Sequence, residues 1–428
     1  MNVLLTPDAN KTEHPSGPEH RPSSIAETGV RAAILEDLAL KTLYLSGPFS
    51  VAELARQTHL GYEVADELFD RLRSKLLCEV TGMFGHVPNL AITSLGRTRA
   101  MELLSQSQYA GSAPVSLHSY VEQVRKQTLR NTRVTHEDVE RSFSKYVLDS
   151  KTLSQFGTAL NSGEAIFLYG PPGTGKTSAA EALASVLAKD AVWIPYSVEV
   201  DGQIIVVFDP TVHKRFESAE EQRHDKRWVK CHRPTVIAGG ELTMEMLDLQ
   251  FSPSTNYYVG PVQMKANNGT LIIDDFGRQR VTPEELLNRW VVPLDRGIEF
   301  LTLAGGRKIE IPFELMVVFA SNKDPVKLMD PAFLRRIQTK IRIGEVTPPQ
   351  FCEIFRRVAA QHGVTVDDQT VYDLIVVIQD ELKEELRACH PRDLTNQVAW
   401  AARFEGKQLE LDRPALMKAV ESYFLARP

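Results

Sequence analysis

Cysteine is scarce in this chain. There are four in 428 residues, Cys78, Cys231, Cys352 and Cys389, and no two form a C-x-x-C pair. That spacing excludes a disulfide-stapled scaffold and argues against a zinc module. It fits reduced thiols in a cytoplasmic compartment. Long apolar runs are missing too. No stretch approaches the roughly 20 residues needed to cross a bilayer, so no membrane partner is expected. The opening MNVLLTPDANKTEH has no basic start followed by an apolar core, so it does not read as a secretory signal. Neither sign of charge dominates: 49 Lys+Arg stand against 55 Asp+Glu, a net charge of −6. This gives no global pull toward nucleic acid and leaves only local basic patches for such contacts. What is present is ordinary for a globular protein, 43% hydrophobic and 24% charged. A wholly disordered or collagen-like chain is thereby excluded, and the length suggests about two to four domains.

Residues 1–27 carry Pro7, Pro15, Pro18 and Pro22 among polar residues and read as a disordered tail. Residues 28–106 form the first folded unit. Ile34, Leu38, Leu43 and Leu45 set a helical pattern that ends at Gly47-Pro48. Ser50 caps a second helix, and Val64, Leu68, Leu72 and Leu76 recur at steps of four in a third. CEVTGMFGHVPNLAIT reads as two short strands with a glycine-containing turn. Three helices and a hairpin resemble a winged helix-turn-helix, whose usual job is DNA binding through the third helix. The charges oppose that use. Glu63, Asp66, Glu67 and Asp70 crowd the half of the third helix that would meet the bases. Phosphates repel carboxylates, so a protein-docking role is favoured. Residues 107–135 read as a linker with a short helix. From Thr135 onward strands alternate with helices, which implies an α/β domain with a parallel sheet over 136–344. Residues 345–428 are helical throughout.

The most specific signal is IFLYGPPGTGKT at 166–177. A short apolar strand runs into Gly170, Pro171, Pro172, Gly173, Thr174, Gly175, Lys176 and Thr177, and a helix starts with Ser178. This is the full G-x-x-x-x-G-K-[ST] pattern in its strand–loop–helix context. Glycines let successive backbone N–H groups turn inward around a phosphate, and the helix N-terminus adds partial positive charge. Lys176 should reach the β- and γ-phosphates of ATP, and Thr177 should ligate Mg²⁺. LIIDD at 271–275 describes a buried strand delivering two acids to its C-terminal edge, where open parallel sheets bind ligands. Asp274 would hold Mg²⁺ through water, and Asp275 would orient or deprotonate the attacking water. LMVVFASN at 315–322 is another buried strand, ending in Asn322, which would position that water or sense the γ-phosphate.

GPPGTGKT, LIIDD, FASN, DPAFLRR and HPRDL, in this order, resemble an AAA+ ATPase over roughly residues 136–428. The resemblance implies a P-loop NTPase sheet with helices on both faces, followed by a helical lid. It also implies a homo-oligomeric ring, usually a hexamer, with ATP at each subunit boundary. Arg335 and Arg336 match the arginine-finger position, which acts on a neighbour's γ-phosphate. Arg392 matches the lid arginine that couples lid angle to nucleotide state.

Asp274-Asp275 departs from the Asp-Glu of most members. The second carboxylate is one methylene shorter, which suits a slow, switch-like ATPase, although replication initiators and helicase loaders resemble this motif. KANNGTLIIDD and GRKIEIPFELMVVFASN resemble the bacterial branch with a hairpin before the FASN strand, which contains enhancer-binding activators and MoxR-type chaperones. Between Thr177 and Asp274 lie 96 residues. Within them VEVDGQIIVVFD reads as a hairpin. Residues 213–234 hold seven Lys+Arg against four Asp+Glu, which reads as a nucleic-acid contact, a solvated face or a surface packed on a neighbouring subunit. His213, His224, Cys231 and His232 fit no standard zinc spacing. Tyr258-Val259-Gly260 matches an aromatic pore loop or a packed turn. Three functions therefore compete: a ring that remodels a protein partner recruited by residues 28–106, a DNA-acting ATPase, and a nucleotide-gated switch with little turnover.

Overall fold

The computed structural model describes residues 17–18, 21–84, 87–217 and 224–424. The central sheet has five parallel strands in the order Thr235–Ala238, Thr270–Ile273, Met316–Ser321, Ile166–Tyr169, Thr339–Arg342. Alternate residues face opposite sides, and both sides are covered. Ile166, Leu168, Ile272 and Val318 pack with helices His136–Phe143, Ser150–Ser162 and Lys176–Leu187. Phe167, Leu271, Ile273 and Phe319 pack with Trp290 and Phe333 on the other face. Burial on both faces explains why these strands read as continuous apolar runs rather than alternating ones. The strand order also sets Met316–Ser321 between the P-loop strand and the LIIDD strand, so Asn322 emerges between them.

The helices from Pro348–Gln361 to Arg413–Tyr423 enclose a core of their own around Phe351, Phe355 and Leu394. At the other end, helices Ala32–Ser46, Val51–Thr58 and Tyr62–Ser74 precede a hairpin, Cys78–Phe84 with Val87–Ile92, and a fourth helix, Ser94–Gln106. Ser50 caps the second helix by accepting from Glu53 N at 3.2 Å. Val64, Leu68 and Leu72 are buried as their spacing predicts. Leu76 is not: the helix ends at Ser74, and Leu76 adopts a left-handed backbone with its side chain exposed. Leu45 is likewise exposed.

Two expectations need correction here. The disordered tail, most of which lies outside the described residues, does not extend to residue 27. Ile25 is buried against the N-terminal core, and its N–H donates to Glu67 Oε2 at 2.9 Å. Nor does 107–135 behave as a linker. Val115–Ser116 forms the edge of a second sheet, in the order Gln250–Ser252, Tyr257–Val259, Gln203–Val206, Ser197–Val200, Val115–Ser116. Tyr120, on the helix that follows, is fully buried. Its hydroxyl accepts from Asn267 Nδ2 at 2.9 Å. The hairpin expected in VEVDGQIIVVFD is present, and its turn at Asp201-Gly202 has positive φ at both residues. That geometry matches the twist of the flanking strands and suits an Asp-Gly pair.

The second sheet carries the N-terminal unit. Ile204 sits in its core, Arg31 pairs with Glu199 at 3.1 Å, and Gln108 N donates to Thr255 O at 2.8 Å. Arg227 is the firmest joint. It is buried, donates to both carboxylate oxygens of the buried Asp225, and reaches Thr28 O and Pro114 O at 2.9 and 3.0 Å. Losing one member of such a buried pair typically costs about 3–5 kcal/mol, because the other is left uncompensated.

Candidate functional site

The site lies at the C-terminal edge of the central sheet, where three strands deliver polar residues. The strand Ile166–Tyr169 enters the loop 170–175, and the helix Lys176–Leu187 leaves it. Two glycines are required by contact. A Cβ at Gly170 would stand 2.0 Å from Ile343 O, and one at Gly173 would stand 2.5 Å from Cys389 Sγ. Both also have φ in the range that L side chains avoid, +149° and +77°. Thr174 Oγ1 donates to Pro171 O at 3.0 Å and braces the loop.

Lys176 is buried, and its Nζ donates to Pro171 O at 2.7 Å across the loop. Burial pushes its pKa down, while the carboxylates of Asp275 and Asp274 pull it back. Thr177 Oγ1 reaches both oxygens of Asp274, at 2.9 and 3.0 Å. A hydroxyl beside a carboxylate is a hard-oxygen donor set of the kind Mg²⁺ takes, with water completing the octahedron. Asn322 Nδ2 donates to Asp275 Oδ1 at 2.8 Å. Asp275 itself has φ +50°, a left-handed backbone held by Phe276 N, which donates to Ala320 O at 2.7 Å. The structure thus places Lys176, Thr177, Asp274, Asp275 and Asn322 around one edge, although Asp274 lies 97 residues from Thr177.

Residues 166–238, from the P-loop strand through the first edge strand, match the family model "ATPase family associated with various cellular activities (AAA)". The chain carries an AAA ATPase domain. Such a domain implies nucleotide binding, and the two-acid strand and Asn322 lie beyond the matched stretch. Residues 347–422, covering the helices after the AAA domain, match a "Domain of unknown function (DUF8689)". No curated protein matches the chain in sequence. Among solved structures it is similar to NtrX from Brucella abortus in complex with ADP, at 13% identity and a TM-score of 0.40. That likeness covers 68% of this chain, which spans only 58% of the NtrX chain. It is also similar to the RuvB Holliday junction branch migration motor from Thermotoga maritima, at 15% identity and a TM-score of 0.36. There 69% of this chain and 73% of the RuvB chain are covered.

The arginines divide. Arg335 is exposed at the end of the turn Pro331–Leu334, whereas Arg336 pairs with Asp295 at 2.9 Å. Arg392, also exposed, pairs with its neighbour Asp393 at 3.0 Å and with no group of the AAA loop. Two other residues ahead of the helix His390–Glu405, which sequence reasoning passed over, lie beside the loop instead. Cys389 N donates to Gly173 O at 3.1 Å. Arg387 Cδ lies 3.5 Å from where a Gly173 Cβ would sit, and its buried Nε has no hydrogen-bond partner among the described residues. Their only sequence signal is that they precede HPRDL by a few residues.

Three other sequence-marked features have clear places in the fold. Tyr258-Val259-Gly260 is no pore loop. Tyr258 is buried in a strand paired with Gln203–Val206, and its hydroxyl accepts from Ala304 N at 2.7 Å. In the basic stretch 213–234, Arg227 and Arg233 are buried and engaged in hydrogen bonds, whereas Lys214, Arg215 and Lys226 are exposed; residues 218–223 lie outside those described. His213 is a core histidine, accepting from Asp209 N at 2.8 Å, with Lys265 O at its other nitrogen. Among the described residues no group of three or more His, Cys, Asp and Glu could hold a metal, and no helix is long and apolar enough to cross a membrane.

His390 gives the C-terminal helices an expected sensitivity to acid. It is buried against Tyr423 and Phe424, and burial, followed by the charge of Arg387, depresses its pKa from 6.5 to about 4. A base depressed on folding contributes stability that is complete above pH 6.5 and lost as pH falls toward about 4. At 1.36 kcal/mol per unit this is roughly 3 kcal/mol. The hydrogen-exchange protection of amides along His390–Glu405, taken relative to their intrinsic rates at each pH, is expected to fall over that window and to stay flatter in His390→Phe. An equal fall in both proteins would reject the assignment.

Proposed function

We propose that this chain hydrolyses ATP at the subunit interfaces of a homo-oligomeric ring, six copies being favoured, and uses the cycle to remodel a protein partner. The observation that carries this reading is the convergence of Lys176, Thr177, Asp274, Asp275 and Asn322 on one sheet edge. In it, the loop N–H groups and Lys176 bind the phosphates of ATP. Thr177 and Asp274 would hold Mg²⁺, whose charge would offset that developing on the phosphates. Asp275, oriented by Asn322, aligns the attacking water and accepts its proton. Arg335 or Arg336 from the next subunit completes the site, and lid residues Cys389, Arg387 and Arg392 report nucleotide state to the helices.

We read residues 28–106 as a winged-helix-like recruiter of protein rather than DNA. The start of its third helix is acidic, and it is covered by the segment 21–25: a Cβ at Gly61 would lie 3.0 Å from Pro22 O. Since Arg227 and Glu199 tie this unit to the second sheet, partner binding there would act on the AAA domain as one body. A second reading, the slow nucleotide-gated switch, draws on the Asn322 hydrogen bond to Asp275, which occupies the carboxylate that would activate water.

The test is steady-state ATP hydrolysis against protein concentration, with Asp275→Asn as control and DNA added or withheld. The ring reading expects a specific rate that rises with concentration and vanishes in Asp275→Asn. Tight ATP binding without turnover at any concentration would favour the switch. A rate that DNA raises in a salt-sensitive way would favour a DNA-acting ATPase.

A further inference from the structure

We propose that Asp295 is a positioning residue for Arg335, holding it ready to act on a neighbouring subunit's ATP; the inference rests on the inter-subunit reading above. Two consecutive arginines follow the turn Pro331–Leu334. That turn is firmly set. Asp330 caps it by accepting from Phe333 N at 2.8 Å, and Phe333 and Ile337 are buried on either side of the arginine pair.

Arg336 is used within its own chain. Its Nε donates to both carboxylate oxygens of Asp295, at 2.9 and 3.0 Å, and its Nη1 donates to Ala332 O at 3.1 Å. Its guanidinium carbon lies 5.4 Å from the Phe333 ring centroid, and only 17% of the side chain is exposed. Arg335 is exposed and, among the described residues, has no ion-pair or side-chain hydrogen-bond partner. Consecutive residues on a helical turn point about 100° apart. Clamping Arg336 inward therefore fixes the direction in which Arg335 leaves the surface. A long, flexible side chain works on a transition state only when its base is placed within a fraction of an ångström. Arg336 is then a strut, Arg335 the group lent to the neighbour, and Asp295 the anchor.

The anchor's location adds a control point. Asp295 lies on the helix Val291–Arg296, which passes through Gly297 into the hairpin Ile298–Thr302 and Lys308–Pro312. The tip of that hairpin is held by Arg307, paired with Asp201 at 2.8 Å in the sheet that carries the N-terminal unit. A partner that shifts this hairpin would shift the anchor of the lent arginine.

Full-length proteins in mixtures test the proposal. Asp295→Ala alone is expected to lower kcat about tenfold while KM and the affinity for a fluorescent ATP analogue stay unchanged. Asp295→Glu, which keeps the charge, recovers part of the rate. Lys176→Ala subunits have no working loop of their own but carry an intact Asp295 and Arg335. Adding them is expected to raise the rate per Asp295→Ala subunit, because the defect lies in what each subunit lends. A normal kcat in Asp295→Ala, or a rate that stays low in the mixture, overturns the proposal. The parallel mixture of Arg335→Ala with Lys176→Ala examines the reading beneath it. No recovery there means that sites are not shared between subunits. Recovery there with none for Asp295→Ala refutes the role of Asp295 alone. If Asp295→Ala melts early, Asp295→Asn, of nearly equal volume, gives the same decision.

Discussion

Lys176→Ala is expected to fold normally and to lose ATP binding. The ammonium makes one hydrogen bond in the structure, to Pro171 O at 2.7 Å, so its removal costs the fold about 1 kcal/mol. Its cost to the ligand is far greater. Lys176 is buried, and burial already disfavours its charge, which Asp275 and Asp274 help to retain. Phosphates entering the loop would supply the opposite charge at closer range. A charge-assisted hydrogen bond contributes roughly 1.5–3 kcal/mol, and reaching two phosphates roughly doubles that. The affinity should therefore fall by about two to four orders of magnitude, at 1.4 kcal/mol per tenfold. Thermal denaturation with and without ATP is a direct readout. A ligand at a hundred times its Kd adds about 2.7 kcal/mol to stability, which the native protein should show and the variant should not. A variant whose melting still shifts with ATP would mean that the loop does not depend on Lys176.

The parts of this site legible in the sequence are those fixed by local geometry. Gly170 and Gly173 are dictated by backbone torsions and by contacts within the loop's own surroundings, so the pattern G-x-x-x-x-G-K-T carries them. Asp201-Gly202 marks its hairpin for the same reason: two left-handed residues in succession need that pair. The buried strands were readable because a sheet covered on both faces demands apolar residues at every position, as in Leu271–Ile273.

What escaped is set by contacts distant in sequence. No local pattern at Tyr258 tells a pore loop from a strand. Its burial depends on Ile205, which its strand pairs against, and on Ala304. Arg227 looks like one more member of a basic run until Thr28 O and Pro114 O are brought beside it. The supposed linker fails similarly, because Val115 pairs with Val198. The C-terminal helices offer the sharpest case. HPRDL directs attention to Arg392, yet the contact with Gly173 is made by Cys389, with Arg387 beside it, which only the packing of these helices on the loop could identify.

Arg335→Ala is expected to abolish hydrolysis while leaving ATP binding intact, and the double variant with Arg336→Ala should be no slower. An arginine that stabilises charge on a transferring phosphoryl group contributes about a thousandfold or more to the rate. Because it acts on the transition state, its loss appears in kcat and not in ground-state affinity. The structure separates the two arginines before any kinetics are done. Arg336 is committed to Asp295, and Arg335 is exposed with no ion-pair or side-chain hydrogen-bond partner among the described residues. Arg336→Ala alone should therefore give a milder loss, of the size expected for Asp295→Ala, since both release the same clamp. If instead Arg336→Ala proves the more damaging, the clamp must open when subunits meet, and Arg336 rather than Arg335 is the residue lent. If neither matters in a protein that hydrolyses ATP, each site is complete within one chain, and the ring model falls with it.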